Sequence, residues 1–126
     1  MGIDKVERLI GVVEDDESVR TAMDSLIRAA GYGTRLFASA EEFLNSSERH
    51  EIECLIIDIQ LPGVSGLELQ ARLAREDYEA PIIIISSHDP ELRARALEKG
   101  AVAELAKPFN PASLLGAIES ALEPGR

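Results

Sequence analysis

Two kinds of hydrophobic pattern alternate along the chain. In the first, nearly every position is apolar over a short run: Leu9 to Val13, Cys54 to Ile57, Ile82 to Ile85 and Ala101 to Ala106, with a weaker run from Thr34 to Phe37. Unbroken apolarity over so short a run marks a strand covered on both faces, as in parallel sheets, rather than a strand with one wet face. In the second kind the apolar positions have helical spacing. Val19, Met23, Leu26, Ile27 and Ala30 form one stripe of a helix that Gly31 can end. Ser39 followed by Glu42 fits a capping box, and a third helix begins near Gly66 and carries Leu69 and Leu73. Asp89-Pro90 opens a fourth helix that Lys99-Gly100 closes. Leu114, Leu115, Ile118 and Leu122 define a fifth, with Asn110 as N-cap and Pro111 at its first position.

Five strands alternating with five helices predict an α/β protein: a doubly wound, five-stranded parallel sheet between two helical layers. Right-handed crossovers leave few topologies, and the flavodoxin-like strand order 2-1-3-4-5 is the commonest. A length of 126 residues fits one domain over residues 1–126, with its core from about Leu9 to Leu122 and no output domain attached. The formal net charge of -10 argues against nucleic acid or an anionic membrane as direct partner. Cys54 is the single cysteine, so no internal disulfide is expected, and it reads as a small buried hydrophobe. With neither a signal segment nor an apolar run long enough to span a bilayer, the expected location is the cytoplasm.

In such sheets ligands bind beyond the carboxyl ends of the strands, at the switch point between the first and third. Strand one runs into Glu14-Asp15-Asp16-Glu17, strand three into Asp58, strand four into Ser86-Ser87 and strand five into Lys107-Pro108. The topology therefore brings Glu14, Asp15 and Asp58 to one pocket with the Ser86 hydroxyl and the Lys107 ammonium. Three carboxylates against one lysine leave a charge of -2, costly to assemble without a partner. A divalent cation cancels it, and an oxygen-only ligand set suits Mg²⁺. Asp58 is then placed to act as a nucleophile that takes up a phosphoryl group, with Lys107 and Ser86 offsetting charge on its oxygens. Asp16 and Glu17 read instead as partners of a helix dipole.

On the acid cluster Glu14-Asp15-Asp16-Glu17, the segment from Asp58 to Gly66, Ser86 and the triplet Lys107-Pro108-Phe109, the chain resembles the receiver domains of two-component response regulators. The texture around Ser86 and Lys107 is most similar to the nitrogen-fixation regulator type. The resemblance implies that Asp58 accepts a phosphoryl group from a sensor histidine kinase or histidine phosphotransfer protein, and that Asp15 binds Mg²⁺ directly. It implies Glu14 as the second acid, chosen with Arg20 in view, the backbone carbonyl of Gln60 as a further metal ligand, and a cis peptide before Pro108. A receiver of this kind catalyses only its own phosphorylation and dephosphorylation. It signals through the surface of its fourth helix, fifth strand and fifth helix to a downstream protein or an output domain, with a phosphorylation-dependent homodimer as a further expectation.

Some positions depart from the family pattern. Glu104 stands where relatives usually carry an aromatic residue, and its charge is expected to point outward, towards a partner arginine. Ser86 replaces the commoner threonine, and Gln60 and His88 occupy variable positions that influence how long the phosphoryl group lasts. Three other functions compete. A Mg²⁺-dependent phosphatase would also use Asp58, but needs a second acid where Gln60 stands. A flavodoxin-like cofactor binder needs a phosphate loop after strand one that is missing, and a phosphorylation-independent scaffold would not need the intact Asp, Ser and Lys set.

Overall fold

The computed structural model describes residues 8–86 and 90–123. Strands β1 (Leu9–Val13), β2 (Gly33–Phe37), β3 (Cys54–Asp58), β4 (Ile82–Ser86) and β5 (Ala103–Ala106) alternate with helices α1 (Glu17–Ala29), α2 (Ala40–Leu44), α3 (Gly66–Arg75), α4 (Pro90–Glu98) and α5 (Pro111–Leu122). A single 3₁₀ turn at Arg49–Glu51 precedes β3. All neighbouring strands pair in parallel, in the order β2-β1-β3-β4-β5. The doubly wound, flavodoxin-like architecture expected from the hydrophobic pattern is the one observed.

Side chains that alternate along each strand divide the interior in two. Ile10, Val12, Cys54, Ile56, Ile83 and Ile85 pack against Met23 and Ile27 of α1 and Leu114 and Ile118 of α5. Leu55, Ile57 and Ile84 face the other way, towards Phe43 of α2, Leu69 and Leu73 of α3 and Ala96 of α4. Each fully buried Ile, Leu or Phe contributes roughly 1.5–3 kcal/mol relative to exposure, so the central strands are where the fold is most firmly held.

The helix starts obey local capping chemistry. Asp16 caps α1 by accepting from Ser18 and Val19 N–H, and Ser65 caps α3 by accepting from Glu68 N–H. Ser39 accepts from Glu42 N–H while Glu42 Oε1 accepts from Ala38 N–H at 2.7 Å, so the return arm of the box lands one residue early. Asn110 accepts from Ala112 N–H ahead of Pro111. Gly31 ends α1 at φ 101°, a left-handed conformation that glycine adopts without strain.

Four strand boundaries differ from expectation: β3 and β4 each run one residue further, to Asp58 and Ser86, and β2 and β5 begin elsewhere. β2 begins at Gly33 rather than Thr34, because Gly33 already lies opposite Leu9 in the ladder. β5 begins at Ala103 rather than Ala101, because Ala101 N–H is taken by Ala96 C=O at the end of α4. α4 itself begins at Pro90, and the expected start at Asp89 falls outside the described residues.

Candidate functional site

The carboxyl ends of the strands gather the polar residues. Glu14 follows β1 immediately, and its N–H donates to Phe37 C=O of the neighbouring strand, so its backbone is still tied to the sheet. The Glu14 side chain turns inward and is only 1% exposed. Its Oε2 accepts from Asp16 N–H at 3.0 Å. Arg20 of α1 donates to Glu14 C=O at 2.8 Å and Asp15 C=O at 3.4 Å, which steadies the turn carrying both acids. Asp58 is the last residue of β3 and is buried, with Oδ1 accepting from Gln60 N–H at 3.0 Å. Gln60 itself is exposed beside it.

One carboxylate oxygen from each of Glu14, Asp15 and Asp58 lies within 4.8 Å of the others, with Asp15 exposed to solvent and the other two buried. Lys107, immediately after β5, reaches across the strand ends. Its Nζ is 2.9 Å from Asp58 Oδ2 and 3.3 Å from Glu14 Oε1. Burial works against the Lys107 charge, yet the Asp58 and Glu14 carboxylates overcome it and raise its pKa. Burial above all, and then the Asp58 charge, push the Glu14 carboxyl up to about 7, against the Asp16 amide and Lys107. The peptide before Pro108 is cis, as expected.

The close approach of α3 shapes the Asp58 turn. Gly66 N–H donates to Ile59 C=O at 3.1 Å, and a Cβ added at Gly66 would lie 2.5 Å from both Asp58 O and Ile59 Cα. Only glycine lets the helix start this near the strand end.

Ser86 closes β4 and is fully buried. Its hydroxyl donates to Glu104 Oε2 at 3.1 Å, and the same oxygen accepts from Arg93 Nε of α4 at 2.8 Å. The expectation that Glu104 points outward is therefore wrong. Its side chain is 7% exposed, and it tolerates burial because an arginine and a hydroxyl both satisfy it. It pairs with an arginine of its own chain, Arg93, whose side chain is 44% exposed. Arg93 was not singled out from the sequence, because nothing in the periodicity of α4 reveals a partner on β5. Lys107 also differs in setting, since β5 is a partly exposed edge strand rather than a buried one. His88 lies outside the described residues.

The acid cluster has the character of a cation site. Glu14 Oε1 is buried and makes no hydrogen bond, although Lys107 lies nearby, and every donor in the cluster is a carboxylate oxygen, the chemistry of a hard divalent ion. A cavity of about 1060 Å³ lies elsewhere, at the amino ends of β4 and β5 beside Pro81, Ile82 and Val102. It holds none of these carboxylates.

Such strand-end acids on a doubly wound sheet are the mark of a receiver, and the comparisons agree. The chain belongs to the response regulator receiver domain family, whose profile matches residues 10–119. Nodulation protein W of Bradyrhizobium diazoefficiens is 42% identical over 119 residues, covering 94% of this chain and 52% of that protein. The crystal structure of full-length FixJ from B. japonicum superposes with a TM-score of 0.85 at 34% identity, over 95% of this chain and 61% of that one. The likeness to nitrogen-fixation regulators thus holds. The receiver domain of sensor histidine kinase PA1611 from Pseudomonas aeruginosa PAO1, 25% identical with a TM-score of 0.83 over 93% of this chain and 98% of that one, was solved with a magnesium ion coordinated in its active site cleft. The chain spans about half the length of the curated relatives it matches. No helix among the described residues is long and apolar enough to cross a membrane.

Proposed function

We propose that this receiver is a phosphoacceptor switch in which Asp58 takes a phosphoryl group from a phosphohistidine of a sensor kinase or phosphotransfer protein. One observation carries the reading: carboxylates from two strand ends meet within 4.8 Å, with the ammonium of a third strand end 2.9 Å from one of them. An oxygen of Asp58 attacks phosphorus, the new P–O bond forms as the P–N bond breaks, and the leaving imidazole takes up a proton. Gln60 N–H and Lys107 Nζ hold the two oxygens of Asp58 in separate directions, which orients the carboxylate before attack. Lys107 also lies where it can offset charge on the incoming group.

Asp15, Glu14 and Asp58, with the backbone carbonyl of Gln60, are the residues that would hold Mg²⁺, and the buried Glu14 Oε1, which makes no hydrogen bond, supports that fit. When bound, Mg²⁺ would supply the positive charge that offsets these carboxylates and an incoming phosphoryl group. The output is read as a change in the face of α4, β5 and α5, received by a further segment or a partner protein. The chain itself is read as one receiver module whose only chemistry is on its own aspartate.

Acetyl phosphate with Mg²⁺ should add one phosphoryl group to the wild-type chain, visible in its intact mass, and none to Asp58→Asn. An unmodified wild-type mass overturns the reading.

A further inference from the structure

The Ser86 hydroxyl is already occupied. It points to Glu104, and Glu104 is in turn held by Arg93 from α4, both through the same carboxylate oxygen. In the parallel pairing of β3 with β4, Asp58 lies opposite Ile85, so Ser86 stands one position further along β4, at the same carboxyl end of the sheet. A serine hydroxyl has a single proton and can donate to one acceptor at a time. An anionic group on Asp58 and the Glu104 carboxylate are therefore rivals for one hydrogen bond.

We propose that Glu104 is a positioning residue of this receiver: clamped by Arg93, it holds the Ser86 hydroxyl in the unmodified protein, and a phosphoryl group must take that hydrogen from it. The inference rests on the reading of Asp58 as phosphoacceptor. Once Ser86 turns to the new oxygens, Glu104 keeps only Arg93 among the described residues and faces a like charge in a poorly solvated place. Glu104 sits on β5 and Arg93 on α4, so the exchange at one hydroxyl is passed to both elements through an ion pair. The Glu104 carboxylate thereby sets the threshold for modification and links it to the position of α4.

Beryllofluoride, a phosphoryl mimic that binds carboxylates, tests this in the presence of Mg²⁺. The concentration giving half-saturation is read from backbone amide NMR shifts around Asp58. Glu104→Gln keeps the shape and removes the charge, and should lower that concentration roughly tenfold, the worth of one charge-assisted hydrogen bond. Glu104→Ala should move it in the same direction and serves if the glutamine variant does not fold. In a Ser86→Ala background Glu104→Gln should change it by less than about twofold, because the shared hydroxyl is gone. In the wild type the Arg93 Nε–H signal should shift on saturation. A wild type that binds no beryllofluoride overturns the phosphoacceptor reading itself. A wild type that binds, with Glu104→Gln unchanged, with its effect undiminished in Ser86→Ala, or with the Arg93 signal unmoved, overturns the clamp alone.

Discussion

Glu14 offers a quantitative test of the acid pocket in the absence of metal. Its carboxyl is buried and lies near Asp58, which together move its pKa from 4.5 to about 7 in the folded chain. A group whose folded pKa is raised stabilises the fold fully below the unfolded value, and that contribution is lost as pH rises through the folded value. At about 1.4 kcal/mol per pKa unit, the loss between roughly pH 4.5 and pH 7 is of order 3 kcal/mol, a large share of a typical stability of 5–15 kcal/mol. The perturbation is Glu14→Gln, which preserves shape and cannot ionise. Urea unfolding in a chelating buffer, repeated from about pH 5 to about pH 8, should show the wild type losing stability relative to Glu14→Gln as pH rises. Near pH 5 the two should be similar, and near pH 8 the variant should be the more stable by a few kcal/mol. Comparing the two cancels the ionisable groups remote from this pocket. Curves that stay parallel across this range, or a wild type that gains on the variant towards high pH, would refute the claim that Glu14 is an ionisable group held at a cost inside the pocket.

Two further outcomes follow from the same geometry. Gly66→Ala would place a Cβ 2.5 Å from the Asp58 carbonyl oxygen, so it should destabilise the fold by about 1–3 kcal/mol and slow phosphoryl uptake; wild-type urea midpoint and uptake rate together would contradict the close approach. Mg²⁺ should raise the melting temperature of the wild type by binding the folded state, and Asp15→Asn should lose most of that rise, while an undiminished rise would remove Asp15 from the metal set.

Much of this architecture was legible because parallel sheets bury their central strands on both faces. β1, β3 and β4 announce themselves as unbroken apolar runs, and turn and capping residues punctuate the helices between them. The edges were less legible. Ala101 and Val102 are as apolar as the strand they precede, but Ala101 N–H is taken by Ala96 C=O at the end of α4, and the pairing with β4 opens only at Ala103. The acid cluster and Lys107 could be placed by strand end alone, since topology decides which ends adjoin. The orientation of Glu104 could not, because it depends on Arg93, which lies on another element and carries no mark of the pairing in its own helix. Gly66 was legible only as a helix start; its contact with the Asp58 backbone is a property of the folded turn.

The central claim is that Asp58, among three neighbouring carboxylates, is the one that carries the phosphoryl group. After incubation with acetyl phosphate and Mg²⁺, borohydride reduces an acyl phosphate to the corresponding alcohol, and peptide mapping then locates it. The account predicts homoserine at position 58 and unmodified residues at Glu14 and Asp15. Reduction at either of those two positions, or at none of the three, would contradict it.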